Sequence, residues 1–183
     1  MKHIVFFGDS LTAGYKLTDP VRESVPGLLQ EKITQKGFSY RVSNAGLSGG
    51  TSSGGLKRLA HWLREPVDIF ILELGINDLI RKVNIAAIAK NLRRIITAVK
   101  LRYPGCKLVL MGMQLPQSFG QTAQAFNLMY NALAEEFQMA FVSFFLKDVT
   151  GQRHLNLADG LHPNAAGYRV IAENIWPVIE PLL

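Results

Sequence analysis

The sequence has a single cysteine, Cys106, among 183 residues. One thiol excludes an internal disulfide and a thiolate metal cluster. No Asn-x-Ser/Thr sequon occurs. No apolar run approaches the roughly 20 residues that span a bilayer, so stable membrane insertion is not expected. Charged residues make up only 19 % and hydrophobic residues 48 %, which excludes a disordered chain. The start, Met1–Gly8, carries one lysine and an apolar stretch too short for a secretory signal. It reads as a first β-strand, and a cytoplasmic location is expected. The length fits one domain, 1–183, with a substantial core.

Net charge is +6. Much of the excess lies between Arg81 and Arg102. There Ile85, Ile88, Leu92, Ile95, Ile96 and Val99 recur at helical spacing, with Lys90, Arg93, Arg94 and Lys100 largely on other faces. This reads as a surface helix with a solvated basic side. The sharper alternative is a patch for anionic lipid or nucleic acid. No aromatic residue is interleaved with these charges, so nucleic acid is not an expected partner.

Short apolar runs alternate with longer amphipathic ones. The expected strands are His3–Phe7, Tyr40–Asn44, Asp68–Leu74, Lys107–Met113 and Ala140–Phe144. Most are near-continuous apolar runs, as in parallel strands buried on both faces. The expected helices are Arg22–Lys36, Ser52–Leu63, Asn84–Arg102, Gln121–Phe137 and Pro163–Glu180. Such alternation implies an α/β fold with a parallel sheet covered on both sides. Gln114–Gly120 is an irregular stretch suited to a pocket rim.

In open α/β sheets ligands bind outside the carboxyl ends of the strands. The segments to question there are Gly8-Asp9-Ser10-Leu11, Ala45-Gly46-Leu47-Ser48, Gly75-Ile76-Asn77-Asp78 and Asp159-Gly160-Leu161-His162-Pro163. A serine hydroxyl needs a base within hydrogen-bond reach, and the base needs an orienting group. Ser10 follows the first strand at a Gly-Asp turn. His162 lies three residues after Asp159, so one turn can present both side chains. Gly46 offers a backbone N–H and Asn77 a side-chain amide for an oxyanion. Taken singly, each residue also fits a structural role. Ser10 and His162-Pro163-Asn164 suit helix starts, Gly46 an ordinary turn, and Asn77 a loop held by its own side chain.

Together the four segments resemble the GDSL, or SGNH, hydrolases, whose serine, glycine, asparagine and histidine blocks they match in order across the whole chain. Leu155–Ala165, Ala172–Pro177, Phe126-Asn127-x-Met129-Tyr130 and Phe144-Phe145-Leu146 are most similar to the arylesterase and thioesterase/protease/lysophospholipase branch. The resemblance implies a flavodoxin-like three-layer α/β/α sandwich with a five-stranded parallel sheet. It implies Ser10 as nucleophile, His162 as base and Asp159 as its orienter. It implies an oxyanion hole from the N–H groups of Ser10 and Gly46 and the amide of Asn77. No metal or cofactor is implied, and the partner is a small acyl ester or thioester. A carbohydrate O-deacetylase is the runner-up, because the same chemistry serves it.

The chain departs from that pattern at Gly50, where Asp is usual, near Val25, where Trp is common, and at Ile76 and Leu79, which replace two glycines. The last two changes stiffen their loop and make the pocket edge more apolar. Asp9, Ile76, Leu79, Leu115 and Leu161 are the expected substrate contacts.

Three rivals stand beside this. Gly46-Leu47-Ser48-Gly49-Gly50 matches the G-x-S-x-G elbow, with Ser48 as nucleophile. Against it, Asp159 and His162 share one short loop, whereas that fold draws acid and base from separate loops. Gly49–Gly55 leads into a helix and invites phosphate, but Lys57 is one place late for a P-loop. The third is a catalytically silent lipid- or glycan-binding module.

Overall fold

The computed structural model describes residues 1–183. Five strands form one parallel sheet: β1 (Lys2–Gly8), β2 (Tyr40–Gly46), β3 (Ile69–Glu73), β4 (Lys107–Met111) and β5 (Ala140–Val142). Their spatial order is β2-β1-β3-β4-β5. Eight helices connect them: α1 (Ser10–Ala13), α2 (Pro20–Glu23), α3 (Val25–Gln35), α4 (Ser52–Trp62), α5 (Ile76–Ile80), α6 (Ile85–Arg102), α7 (Gly120–Phe137) and α8 (Ala165–Ile179). Helices α3 and α8 pack together on one face, and α4, α6 and α7 on the other. This is the three-layer α/β/α architecture expected from the sequence.

The layers follow from burial. Ile4–Phe7 and Ile69–Leu72 have no exposed surface, because helices cover both faces of β1 and β3. On α6, Ile88, Leu92, Ile95, Ile96 and Val99 are fully buried, the stripe predicted from its periodicity. They belong to a core of 42 residues running from Ile4 to Ile179. No helix is long and apolar enough to cross a membrane.

The chain moves from β1 to β2 on one side, then returns past β1 to β3. That reversal opens a crevice at the carboxyl ends of β1 and β3. Gly8 stands in register with both Gly46 and Glu73, so the loops after the three strands emerge level.

Two local differences from the sequence reading have clear causes. The predicted helix over 22–36 is two helices, because Ser24 is extended (φ −70, ψ 161) and its hydroxyl accepts from Gly27 N–H at the start of α3. Helices α1 and α5 are single turns at the strand ends, too short to show a period. Asp9 starts α1 by accepting from Leu11 N–H, and Gly14, at φ +77, ends it.

Candidate active site

Helix α1 carries Ser10 at its first residue, immediately after β1. The last loop carries its partners. Asn156 and Pro163 form an antiparallel bridge, and Leu157 N–H donates to His162 O at 2.8 Å. Those bonds pinch residues 157–162 into a closed loop, with Gly160 at φ +68 making its turn. Asn164 fixes the loop to α8 by accepting from Ala166 and Gly167 N–H.

That loop aims an imidazole at Ser10. Ser10 Oγ lies 2.9 Å from His162 Nε2. His162 Nδ1 lies 2.9 Å from Asp159 Oδ2. Asp159 Oδ1 accepts from Leu161 N–H at 2.9 Å and His162 N–H at 3.0 Å. These donors, the His162 N–H foremost, hold the Asp159 carboxyl down to about 2. A carboxylate at Nδ1 keeps that nitrogen protonated and leaves Nε2 to accept the Ser10 proton. The Tyr15 ring packs against the imidazole with centroids 4.6 Å apart.

Helix α5 adds an amide. Asn77 Nδ2 donates one hydrogen to Asp9 Oδ2 at 2.7 Å. An amide nitrogen has two hydrogens, so one remains for a ligand. The Ser10 backbone N–H donates to no side chain. Beside these groups lies a cavity of about 230 Å³, walled by Ile76, Ile80, Met113, Leu115, Leu146 and Leu161. Its floor holds Ser10, Asn77 and His162. No group of three or more His, Cys, Asp or Glu residues is arranged to hold a metal ion.

The family model of GDSL-like lipases and acylhydrolases matches residues 6–170. Esterase TesA of Pseudomonas aeruginosa is 38 % identical over 182 residues, 98 % of this chain and 89 % of that protein. Thioesterase 1/protease 1/lysophospholipase L1 of Escherichia coli is 33 % identical over 182 residues, 98 % of this chain and 84 % of that protein. A crystal structure of TesA superposes with a TM-score of 0.93 at 36 % identity, covering 100 % of both chains. The chain belongs to the GDSL-like lipase/acylhydrolase family. As a member of it, the chain is a carboxylic ester hydrolase.

Within this GDSL hydrolase, three residues sit where the sequence does not place them. Gly46 is not at the cleft. Its N–H donates to Asn44 Oδ1 at 3.0 Å, and a side chain there would run into the backbone of Ala13. It is a close-packing glycine behind α1, lining a separate depression with Val21 and Ser24. Asp9 is not a substrate contact. It is fully buried, with Oδ1 taken by Leu11 N–H and Oδ2 by Asn77. Leu79 packs against the core, and its neighbour Ile80, 66 % exposed, reaches the cavity instead. Ile76, Leu115 and Leu161 do line the cavity.

Ser48, the rival nucleophile, is exposed and makes no hydrogen bond to a histidine. Gly49, beside it, has φ +73, and its carbonyl accepts from Arg81 at 3.0 Å. Its N–H has no acceptor among the hydrogen bonds of the loop. The next residue, Gly50, rests on Asp9, the neighbour of Ser10.

Sequence reasoning also missed a buried acidic pair under the site. Glu73 ends the apolar strand β3 and is 1 % exposed. Its Oε2 accepts from Asp9 N–H at 3.1 Å and from the Thr12 hydroxyl at 2.8 Å. A carboxylate closing an otherwise apolar run was the available signal, since an unpaired buried charge is costly.

Proposed function

We propose that Ser10, His162 and Asp159 cleave esters by two-step acyl transfer. The observation that carries this is the unbroken pair of 2.9 Å hydrogen bonds from Ser10 Oγ through His162 to Asp159. As Ser10 Oγ attacks the carbonyl carbon, His162 Nε2 takes its proton, and Asp159 stabilises the imidazolium. The negative oxygen of the tetrahedral intermediate accepts from the Ser10 N–H and the free Asn77 N–H. Gly49, whose N–H is unengaged and whose neighbour Gly50 rests on Asp9, takes the place assigned to Gly46. His162 then returns the proton to the departing oxygen or sulfur, leaving the acyl group on Ser10. Water attacks that ester, His162 takes a proton from it, and the acid departs as Ser10 regains its hydrogen.

The cavity's seven apolar side chains, Leu11 among them, favour an aliphatic or aryl acyl ester or thioester over a sugar acetate, which needs polar partners. The named relatives, an esterase and a thioesterase/lysophospholipase, support the same class. A p-nitrophenyl ester series of increasing acyl length, with Ser10→Ala as control, tests it. Medium chains should give the highest kcat/KM. A sharp optimum at acetate overturns the acyl preference in favour of carbohydrate O-deacetylation. Turnover surviving in Ser10→Ala but lost in Ser48→Ala overturns the nucleophile.

A further inference from the structure

Behind Ser10 lie two carboxyl groups that the acyl-transfer steps do not use. Asp9 and Glu73 are 0 % and 1 % exposed, and the Asp9 N–H donates to Glu73 Oε2 at 3.1 Å. Two carboxylates so buried and so close cannot both stay ionised, because desolvation and mutual repulsion oppose it. The surroundings decide which one keeps the proton. Asp9 accepts from two N–H donors, Leu11 and Asn77, at 2.9 and 2.7 Å. Those donors favour its charged form. Glu73 faces the Asp9 carboxyl as well as the Thr12 hydroxyl.

Charge counting agrees. Arg58 of α4 is the cation facing both acids. It is anchored by donating to Gly8 O at 2.7 Å and Ala45 O at 2.6 Å, and it stacks on Phe7. One guanidinium balances one carboxylate. The remaining neighbours add no fixed positive charge: Tyr130 of α7 and Tyr168 of α8 are buried phenols, and His162 faces Asp9 from the last loop. Burial, the largest cause, raises Asp9 to about 6 and Glu73 well above the ordinary carboxyl range, and the nearby Asp9 charge pushes Glu73 up further.

We propose that Glu73 is a positioning residue for acyl transfer: as a neutral acid it donates a hydrogen bond to the Asp9 carboxylate, holds Asp9 as the anionic acceptor of Asn77, and so aims the second Asn77 N–H at the oxyanion. The chain runs Glu73–Asp9–Asn77, and Glu73 touches no substrate. This rests on the reading of Asn77 as an oxyanion donor.

A double-mutant cycle on the full chain tests it, with kcat and KM measured separately on one p-nitrophenyl ester. Glu73→Leu should lower kcat about tenfold or more with KM nearly unchanged, because the interaction it supports forms in the transition state. Glu73→Gln keeps a neutral donor and should lose less than about threefold. With Asn77→Ala already present, Glu73→Leu should cost little more, since the group it acts through is gone. Asn77→Ala with near wild-type kcat sinks the oxyanion reading and this inference with it. A normal loss in Asn77→Ala, with Glu73→Leu costing the same in both backgrounds, sinks this inference alone. So does a folded Glu73→Gln that loses as much as Glu73→Leu. Where Glu73→Leu does not fold, Glu73→Gln decides: a loss beyond about threefold in the folded variant overturns the proposal.

Discussion

At the scale of single residues, the triad's members are not equivalent. Ser10 is 9 % exposed and supplies the bonding atom, and His162 supplies the proton transfer. Ser10→Ala and His162→Ala should each lower kcat about a thousandfold or more, measured on a p-nitrophenyl ester with folding checked by circular dichroism. Asp159 differs, because its side chain is 36 % exposed and water reaches it. Asp159→Asn should cost about ten- to a hundredfold, less than the loss seen where the triad aspartate is buried. A loss in Asp159→Asn equal to that in His162→Ala would show that water does not substitute for the carboxylate. Retained wild-type rates in either Ser10→Ala or His162→Ala would remove the mechanism itself.

At the scale of elements, α1 depends on a glycine that touches no substrate. Gly46 lets the end of β2 lie against Ala13, and a methyl group there would meet the α1 backbone. Gly46→Ala should therefore push α1 outward, lowering both Tm and kcat together, whereas loss of an oxyanion donor alone would lower kcat at unchanged Tm. The comparison decides between packing and chemistry for this residue. It also marks what was legible beforehand. The periodicity of Ile88, Leu92, Ile95, Ile96 and Val99 gave α6, and unbroken apolar runs gave β1 and β3, because burial repeats along a chain. The Ser10 and Asn77 segments were legible from their places after strands, and Asp159 and His162 from their three-residue spacing. Gly46 was misplaced and Gly49 overlooked because three glycines stand within five residues, and which N–H is already paired depends on Asn44, a matter of three-dimensional geometry. Asp9 and Glu73 were unreadable as a pair because 64 residues separate partners that the β1–β3 register brings together.

For the whole molecule, the buried acids make folding respond to pH against the usual direction for carboxylates. Asp159 behaves ordinarily: its folded carboxyl sits at about 2, so the stability it contributes is present at neutral pH and lost as pH falls through that range. Asp9 and Glu73 have the opposite sign. Their folded values are raised, to about 6 for Asp9 and well above the ordinary range for Glu73, so the folded state binds more protons than the unfolded chain. Stability from this pair is fully present below the unfolded carboxyl values, roughly pH 4, and falls as pH rises through the folded ones. Net charge works the other way, since a chain at +6 gains further positive charge in acid. The Tm of the wild type alone mixes both effects, and a difference between variants separates them. Glu73→Gln cannot ionise but keeps the shape and the hydrogen bonds. Its Tm minus that of the wild type should become more positive between pH 5 and pH 8, because only the wild type then works against ionising a second buried acid. A difference that stays flat across that range would mean that Glu73 is ionised throughout, with Arg58 and Thr12 compensating a full second charge.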